Sequence, residues 1–348
     1  MEIKIVNHRI GESNKVFVIA ELSANHNQSI DIAVQTIRAV KEAGADAIKF
    51  QTYTPDTITL DCDNEYFQIK QGTIWDGTTL HKLYQRAYTP WEWQPKLKEI
   101  AEKLGLICFS SPFDKSAVDF LEKINVPAYK IASFEITDLP LIEYVASKKK
   151  PIIISTGIAT LEDIEAAVMT CKNAGNEQIA LLKCTSEYPT PLEDVNLQTM
   201  CDLKDRFEVV VGVSDHTTSI VVPVSSIALG GRIVEKHFIL DRSLESPDSK
   251  FSLNPQEFKE MVQAVRDTEL SLGKVTYELS AKSLKSRELS RSLFIVKELK
   301  KGDIFTEENV RSIRPGFGIY PKYLKEILGK KAAKDVARGT PLKWDLIE

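Results

Sequence analysis

Two apolar runs in this chain each end in a histidine. Val209-Val210-Val211-Gly212-Val213-Ser214-Asp215-His216 passes from hydrocarbon to a hydroxyl, a carboxylate and an imidazole, and Arg232-Ile233-Val234-Glu235-Lys236-His237-Phe238 ends the same way. Ser219 to Gly230 between them reads as a helix, so the unit is strand–helix–strand with one histidine near each strand's C-terminal end. Neighbouring strands lie about 4.8 Å apart, close enough for both rings to reach one ion. Neutral imidazole is a common metal ligand, and Asp215 and Glu235 beside the rings are expected to orient them. A divalent ion held by His216 and His237 keeps positions open for water or substrate. A lone histidine is more often structural; a matched pair at two strand ends is harder to explain by packing.

A second group is Lys130 with the hydroxyls of Ser111, Ser133, Ser155, Ser186 and Ser214. An ammonium with several hydroxyl donors is the composition expected around a phosphate or carboxylate. Any one of these serines is as readily a cap or a turn. Glu21 stands where a general acid or base would work, or where it would form a salt bridge to Lys49. A rival chemistry is a Schiff base on Lys130 or Lys183, which burial would activate. The histidine pair and the hydroxyls favour a metal instead.

These tips need rigid supports, and the chain supplies them in regular alternation. Val16-Phe17-Val18-Ile19-Ala20 is a continuous apolar run of strand length, as expected for a strand buried on both faces. It ends in Glu21. Ser29 then caps a helix with apolar positions at Ala33, Val34, Ile37 and Val40. Further strands are predicted at 47–52, 106–111, 128–133, 151–157 and 179–185, with helices at about 90–104, 115–124, 139–148, 161–174 and 255–271. With the two histidine-bearing strands this gives eight strand–helix repeats, the signature of an α/β TIM barrel, whose active site lies at the C-terminal strand ends. An open doubly wound sheet is the alternative, but no G-x-G-x-x-G follows the first strand. Residues 53–88 interrupt the rhythm with Pro55, Asp61, Asp63, Trp75 and Gly77, too long for an ordinary connection and suited to a cover over the site.

The barrel domain is expected over residues 1–272, a polar linker over 273–290 and a small, mostly β domain over 291–348. The 348 residues are 43% hydrophobic and 27% charged, ordinary for a globular protein, and the net charge of −4 argues against nucleic acid as a partner. Cys62, Cys108, Cys171, Cys184 and Cys201 are odd in number and form no C-x-x-C pair, which suits reduced thiols in the cytoplasm. No signal pattern or long apolar span is present, so membrane insertion is not expected.

Taken in order, Glu21-Leu22-Ser23-Ala24-Asn25-His26, Lys49-Phe50-Gln51-Thr52, Ala128-Tyr129-Lys130-Ile131-Ala132-Ser133-Phe134-Glu135, Ser155-Thr156-Gly157, Gly212-Val213-Ser214-Asp215-His216 and Glu235-Lys236-His237-Phe238 resemble the sialic acid synthase family. Arg314-Pro315-Gly316-Phe317-Gly318 is similar to that family's antifreeze-like (SAF) domain. The resemblance covers nearly the whole chain. It implies a condensation of phosphoenolpyruvate with an amino-sugar aldehyde and water, releasing phosphate, with Mn²⁺ or Mg²⁺ on His216 and His237. It further implies that Lys49, Ser111, Lys130, Ser133, Ser155, Ser186 and Ser214 hold phosphoenolpyruvate and that Glu21 moves a proton. Gln51, Glu135, Tyr188 and Asp248 would face the sugar. Arg314 would reach the barrel of a second protomer in a domain-swapped homodimer.

Members that form N-acetylneuraminate usually begin the first motif Glu-Ile-Gly, and often show Cys-Thr-Asn where this chain has Cys184-Thr185-Ser186. These departures point to the branch that takes 2,4-diacetamido-2,4,6-trideoxy-altrose, as do Phe50-Gln51-Thr52-Tyr53-Thr54-Pro55-Asp56 and Asp248-Ser249-Lys250-Phe251-Ser252. A mannose-configured sugar is the alternative substrate. A non-catalytic sugar-binding protein is the remoter reading, and polar groups at every strand end speak against it.

Overall fold

The computed structural model describes residues 1–348. The chain divides into two compact units, Met1–Gly273 and Lys274–Glu348. The first opens with a hairpin, β1 (Glu2–Ile5) against β2 (His8–Gly11). A parallel barrel follows: β3 (Phe17–Glu21), β4 (Ala47–Thr52), β5 (Ile107–Pro112), β6 (Tyr129–Ile131), β7 (Ile152–Ser155), β8 (Ile179–Cys184), β9 (Val210–Asp215) and β10 (Ile233–His237). Strand β10 pairs with both β9 and β3, which closes the ring.

Several of the outer helices start at a capping side chain. Ser29 caps Ile30–Glu42 by accepting from the Ile32 amide, and Ala33, Ile37 and Val40 turn inward from it. Asp114 caps Lys115–Lys123, while Thr160 with Asp163 and Asn254 with Glu257 form reciprocal capping boxes on Leu161–Asn173 and Pro255–Leu272. No helix is long and apolar enough to cross a membrane.

Strand side chains alternate between two faces, so each strand serves two cores. Val18, Ile48, Cys108, Ile154, Leu181, Val211 and Val234 pack outward under the helices. Phe17, Ile19, Phe109, Ile153, Leu182, Val210 and Ile233 pack inward, and Ile3, Ile5 and Ile10 of the hairpin join them. The hairpin therefore plugs the N-terminal end of the barrel. Sequence alone does not mark this hairpin, because a four-residue strand has too few positions to show alternation.

In the second unit β11 (Ser292–Ile295) pairs antiparallel with β12 (Val310–Ile313). Leu293, Ile295, Phe305, Val310, Ile327 and Leu342 form its core. The stretch expected to be a plain linker contains a helix, Ala281–Arg287, capped by Ser280 and with no buried residue.

Candidate active site

Along each barrel strand the inward-facing positions run from apolar to polar. On β3 they are Phe17, Ile19 and Glu21; on β4, Ala47 and Lys49; on β5, Phe109 and Ser111; on β10, Ile233 and Glu235. The C-terminal layer of the barrel interior is thus charged and almost dry. Lys49 is 4% exposed, Lys130 1% and Glu235 5%.

Glu235 stands at the centre of this layer. Its Oε2 lies 3.9 Å from Lys49 Nζ and its Oε1 3.8 Å from Lys130 Nζ, and Ser214 donates to Oε1 at 2.9 Å. Burial raises the Glu235 carboxyl, but Lys130 and Lys49 outweigh it and hold the group below its usual range. Lys130 donates to Ser155 Oγ at 2.6 Å and to the Ile131 carbonyl at 2.9 Å. Burial pulls its ammonium down. Lys49 contacts Glu21 and donates to Ser111 at 3.2 Å. Burial lowers Lys49 too, yet Glu21 and Glu235 more than offset that, and its net shift is upward. Glu21 does form the salt bridge to Lys49, and it also accepts from the Ser23 amide at 2.8 Å. Burial still raises its carboxyl above the usual range, with Lys49 opposing.

Beside this cluster lies a pocket of hydroxyls. Ser133 accepts from the Gly157 amide at 3.1 Å. A Cβ on Gly157 would stand 2.2 Å from Ser186 Oγ and 2.7 Å from Ser133 Oγ, so only glycine lets the backbone come this close. Cys184 joins them: burial pushes its thiol up, but His216, Ser133 and Lys130 hold it at about 7.

The two imidazoles come together at 5.2 Å between ring centroids. The expected orienting role of Asp215 and Glu235 is not what the structure shows. Asp215 faces outward and pairs with the fully buried Lys236 at 2.5 Å, while Glu235 serves the lysines. His216 is held instead by the Thr185 carbonyl, 3.2 Å from its Nδ1. His237 Nδ1 is buried with no hydrogen-bond partner, and Asp248 Oδ2 is 3.9 Å away. Burial, reinforced by the nearby ammonium groups of Lys49, Lys236 and Lys130, holds the His237 ring well below its normal pKa and so neutral. Asp248 is buried, which raises its carboxyl, and it accepts hydrogen bonds from Ser23 Oγ and from the Ala24 amide.

Of the residues implied to face the sugar, Gln51 donates to Ser23 Oγ at 3.0 Å and Tyr188 packs on His216 at 4.5 Å between ring centroids. Glu135 has a buried, unpartnered Oε2, and burial pushes its carboxyl to about 7. Arg314 lies in the second unit, just after β12, with a cis bond to Pro315. Lys183, the rival Schiff-base residue, points away from the barrel interior and donates to the Cys184 carbonyl at 2.6 Å.

The sequence reading missed Glu235 as the lysines' counter-ion, Cys184, and the aromatic pair Trp75 and Phe251. A signal existed for Glu235, which shares strand parity with His237. Trp75 and Phe251 come from loops, where no periodicity marks direction.

A closed parallel barrel with ammonium, hydroxyl and imidazole groups gathered at its C-terminal end matches one family throughout. Residues 36–277 match the NeuB family and residues 290–348 the SAF domain. The chain belongs to the NeuB family. It is 52% identical to the pseudaminic acid synthase of Campylobacter jejuni strain 81-176 over 96% of this chain and 98% of that protein. The pseudaminic acid synthase of Helicobacter pylori is 48% identical over 95% of this chain and 97% of its own. Among solved structures, the N-acetylneuraminic acid synthetase of Leptospira borgpetersenii aligns with a TM-score of 0.73 at 31% identity, covering 82% of this chain and 95% of that one.

Proposed function

We propose that this chain condenses phosphoenolpyruvate with 2,4-diacetamido-2,4,6-trideoxy-β-L-altropyranose and water to give pseudaminic acid and phosphate. The observation that carries the reading is the likeness to two pseudaminic acid synthases at 52% and 48% identity over nearly the full chain, against 31% for the neuraminate enzyme. The geometry supports the same chemistry. Lys49, Lys130 and the hydroxyls of Ser111, Ser133, Ser155, Ser186 and Ser214 suit the carboxylate and phosphate of phosphoenolpyruvate. Glu235 stands between the two buried lysines as their shared counter-ion.

In the reaction, carbon 3 of phosphoenolpyruvate bonds to the aldehyde carbon, and the aldehyde oxygen takes a proton. Water adds its oxygen to carbon 2, the bond from carbon 2 to the bridging oxygen breaks, and phosphate leaves. The protons of water end on the new sugar hydroxyl and on phosphate. Glu21, buried and held by Lys49 and the Ser23 amide, passes the proton from that water in this reading. Asp248, Gln51, Glu135 and Tyr188 orient the sugar.

The donor set fits a divalent cation such as Mn²⁺ or Mg²⁺. His237 Nδ1 is an orphaned buried nitrogen, and His216 spends Nδ1 on a carbonyl, leaving Nε2 for an ion. No group of three or more His, Cys, Asp or Glu side chains is arranged for a metal, so two imidazoles would leave the other positions to substrate and water. Such an ion would polarise the aldehyde. All five cysteines are free, which suits a reducing compartment such as the cytoplasm. Arg314 reaching the barrel of a second protomer in a homodimer rests on the family resemblance alone.

Phosphate release is the test, with phosphoenolpyruvate, Mn²⁺ and one sugar per well: the altrose sugar, its mannose-configured isomer or N-acetylmannosamine. Release with the altrose sugar alone is expected. Release with another sugar instead would move the substrate while keeping the chemistry, and no release with any would overturn the reading.

A further inference from the structure

The outer faces of the barrel strands pack under the helices, and what they carry is mostly hydrocarbon, such as Val18, Ile48, Ile154, Val211 and Val234. One pair breaks the pattern. Asp215 on β9 and Lys236 on β10 are register partners, and strand parity with Val211 and Val234 turns both to this outer layer. Their side chains meet at 2.5 Å, with Lys236 fully buried. Hydrocarbon of similar volume in place of a buried ion pair is often neutral or stabilising, so stability alone does not explain charge here.

The pair stands where the backbone ladder runs out. Between β9 and β10 the register runs from Ile233 with Gly212 to Lys236 with Asp215, and there it stops. The next residue on each strand carries an imidazole. His237 stays paired to β3 through Glu21 but has no rung to β9. Side chains take over from the ladder at this point. Lys236 Nζ reaches across and donates to the Thr217 carbonyl, one residue beyond His216. Asp215 accepts from the Thr217 amide at 2.9 Å and from its hydroxyl at 3.1 Å. The residues on both sides of His216 are thereby tied to the residue before His237. Asp215, Thr217 and Lys236 are all buried, in low-dielectric surroundings that strengthen these bonds.

The rings have little else of this kind. His216 Nδ1 faces the Thr185 carbonyl, and His237 Nδ1 has no partner, so packing and the backbone beneath it set the place of the second ring. We propose that Asp215 and Lys236 are positioning residues for the histidine pair, a buried staple that replaces the missing rung and holds the rings at their 5.2 Å separation. The inference rests on the proposed function, in which His216 and His237 share a divalent cation, and it adds what fixes their spacing. Both side chains face away from the barrel interior and act through the backbone.

The test is Mn²⁺ binding to metal-freed protein, followed by electron paramagnetic resonance, in Asp215→Leu/Lys236→Met beside Val211→Ala. Val211 shares the outer layer of β9, and its truncation leaves a cavity without touching the staple. The double variant should bind Mn²⁺ about tenfold to a hundredfold more weakly than wild type, the range found when groups behind a metal ligand are removed. Its kcat should fall while the KM for phosphoenolpyruvate stays within about threefold. Val211→Ala should lower Tm and keep the wild-type Mn²⁺ affinity. Asp215→Asn keeps the shape and the bond to the Thr217 amide but drops the charge facing Lys236. It covers a double variant that does not fold, and should bind Mn²⁺ at least about threefold more weakly than wild type. Wild-type Mn²⁺ affinity in the folded double variant or in Asp215→Asn, or an equal loss in Val211→Ala, would overturn the staple. A wild-type protein that binds no Mn²⁺ would instead remove the metal reading on which the staple rests.

Discussion

The two ends of the barrel interior are built by the same strands and do opposite work. At the N-terminal end Phe17, Val210 and Ile233 meet Ile3, Ile5 and Ile10 of the hairpin in a dry apolar layer. A few residues further along, Glu21, Lys49, Lys130 and Glu235 are just as buried but carry charge. Burying hydrocarbon stabilises the fold, whereas burying ammonium and carboxylate groups costs free energy that their mutual attraction only partly returns. The charged end is therefore held in place by the apolar one, and under the proposed function its composition answers to an anionic substrate.

That contrast can be broken most sharply at the charged end. Replacing both partners of one buried pair, as in Lys130→Met/Glu235→Leu, should lower kcat/KM by about a thousandfold or more. It should leave thermal stability unchanged or raise it, because apolar isosteres of a buried ion pair are often neutral or stabilising. A large fall in Tm would make this layer a structural one. The reverse experiment is Phe17→Ala, expected to cost about 3–5 kcal/mol in denaturant unfolding with kcat of the folded protein preserved. Gly157→Ala sharpens the picture within the polar end. Its methyl would push into Ser133 and Ser186, and the KM for phosphoenolpyruvate should rise by roughly tenfold to a hundredfold with the sugar's KM little changed.

The smallest effect concerns pH. Burial pushes the Glu135 carboxyl to about 7 in the folded protein, above its usual range. Between about pH 4.5 and 7 the folded state keeps a proton that the unfolded chain has released, so stability falls as pH rises through that window. Glu135→Gln should remove about 3 kcal/mol of that dependence, and parallel stability curves for the two proteins would show that the carboxyl is not buried in solution.

Much of this arrangement was legible in the chain because two simple periods govern it. Apolar runs with polar ends place the barrel strands, and Ser29, Asp114 and Thr160 mark helix starts as capping chemistry requires. Lys130, Ser155, His216 and His237 are found together at the C-terminal end for the same reason. What escaped was direction. Asp215 and His216 are adjacent, but the strand ends at Asp215, so the parity that turns Asp215 outward to Lys236 says nothing about the ring that follows. Glu235 looked like a partner for His237 because it is near in sequence, yet strand register sets it between two lysines from β4 and β6. Trp75 and Phe251 sit in loops, and nothing local shows that they meet.

The most direct test of the claim that the polar end exists to hold a cation and an anion together is Mn²⁺ binding, followed by electron paramagnetic resonance after removal of metal with EDTA. The wild-type protein should bind Mn²⁺ and regain phosphate release when the ion is restored. His237→Ala, still folded by its Tm, should do neither. Equal Mn²⁺ binding by the two proteins, or full turnover in EDTA, would contradict the account.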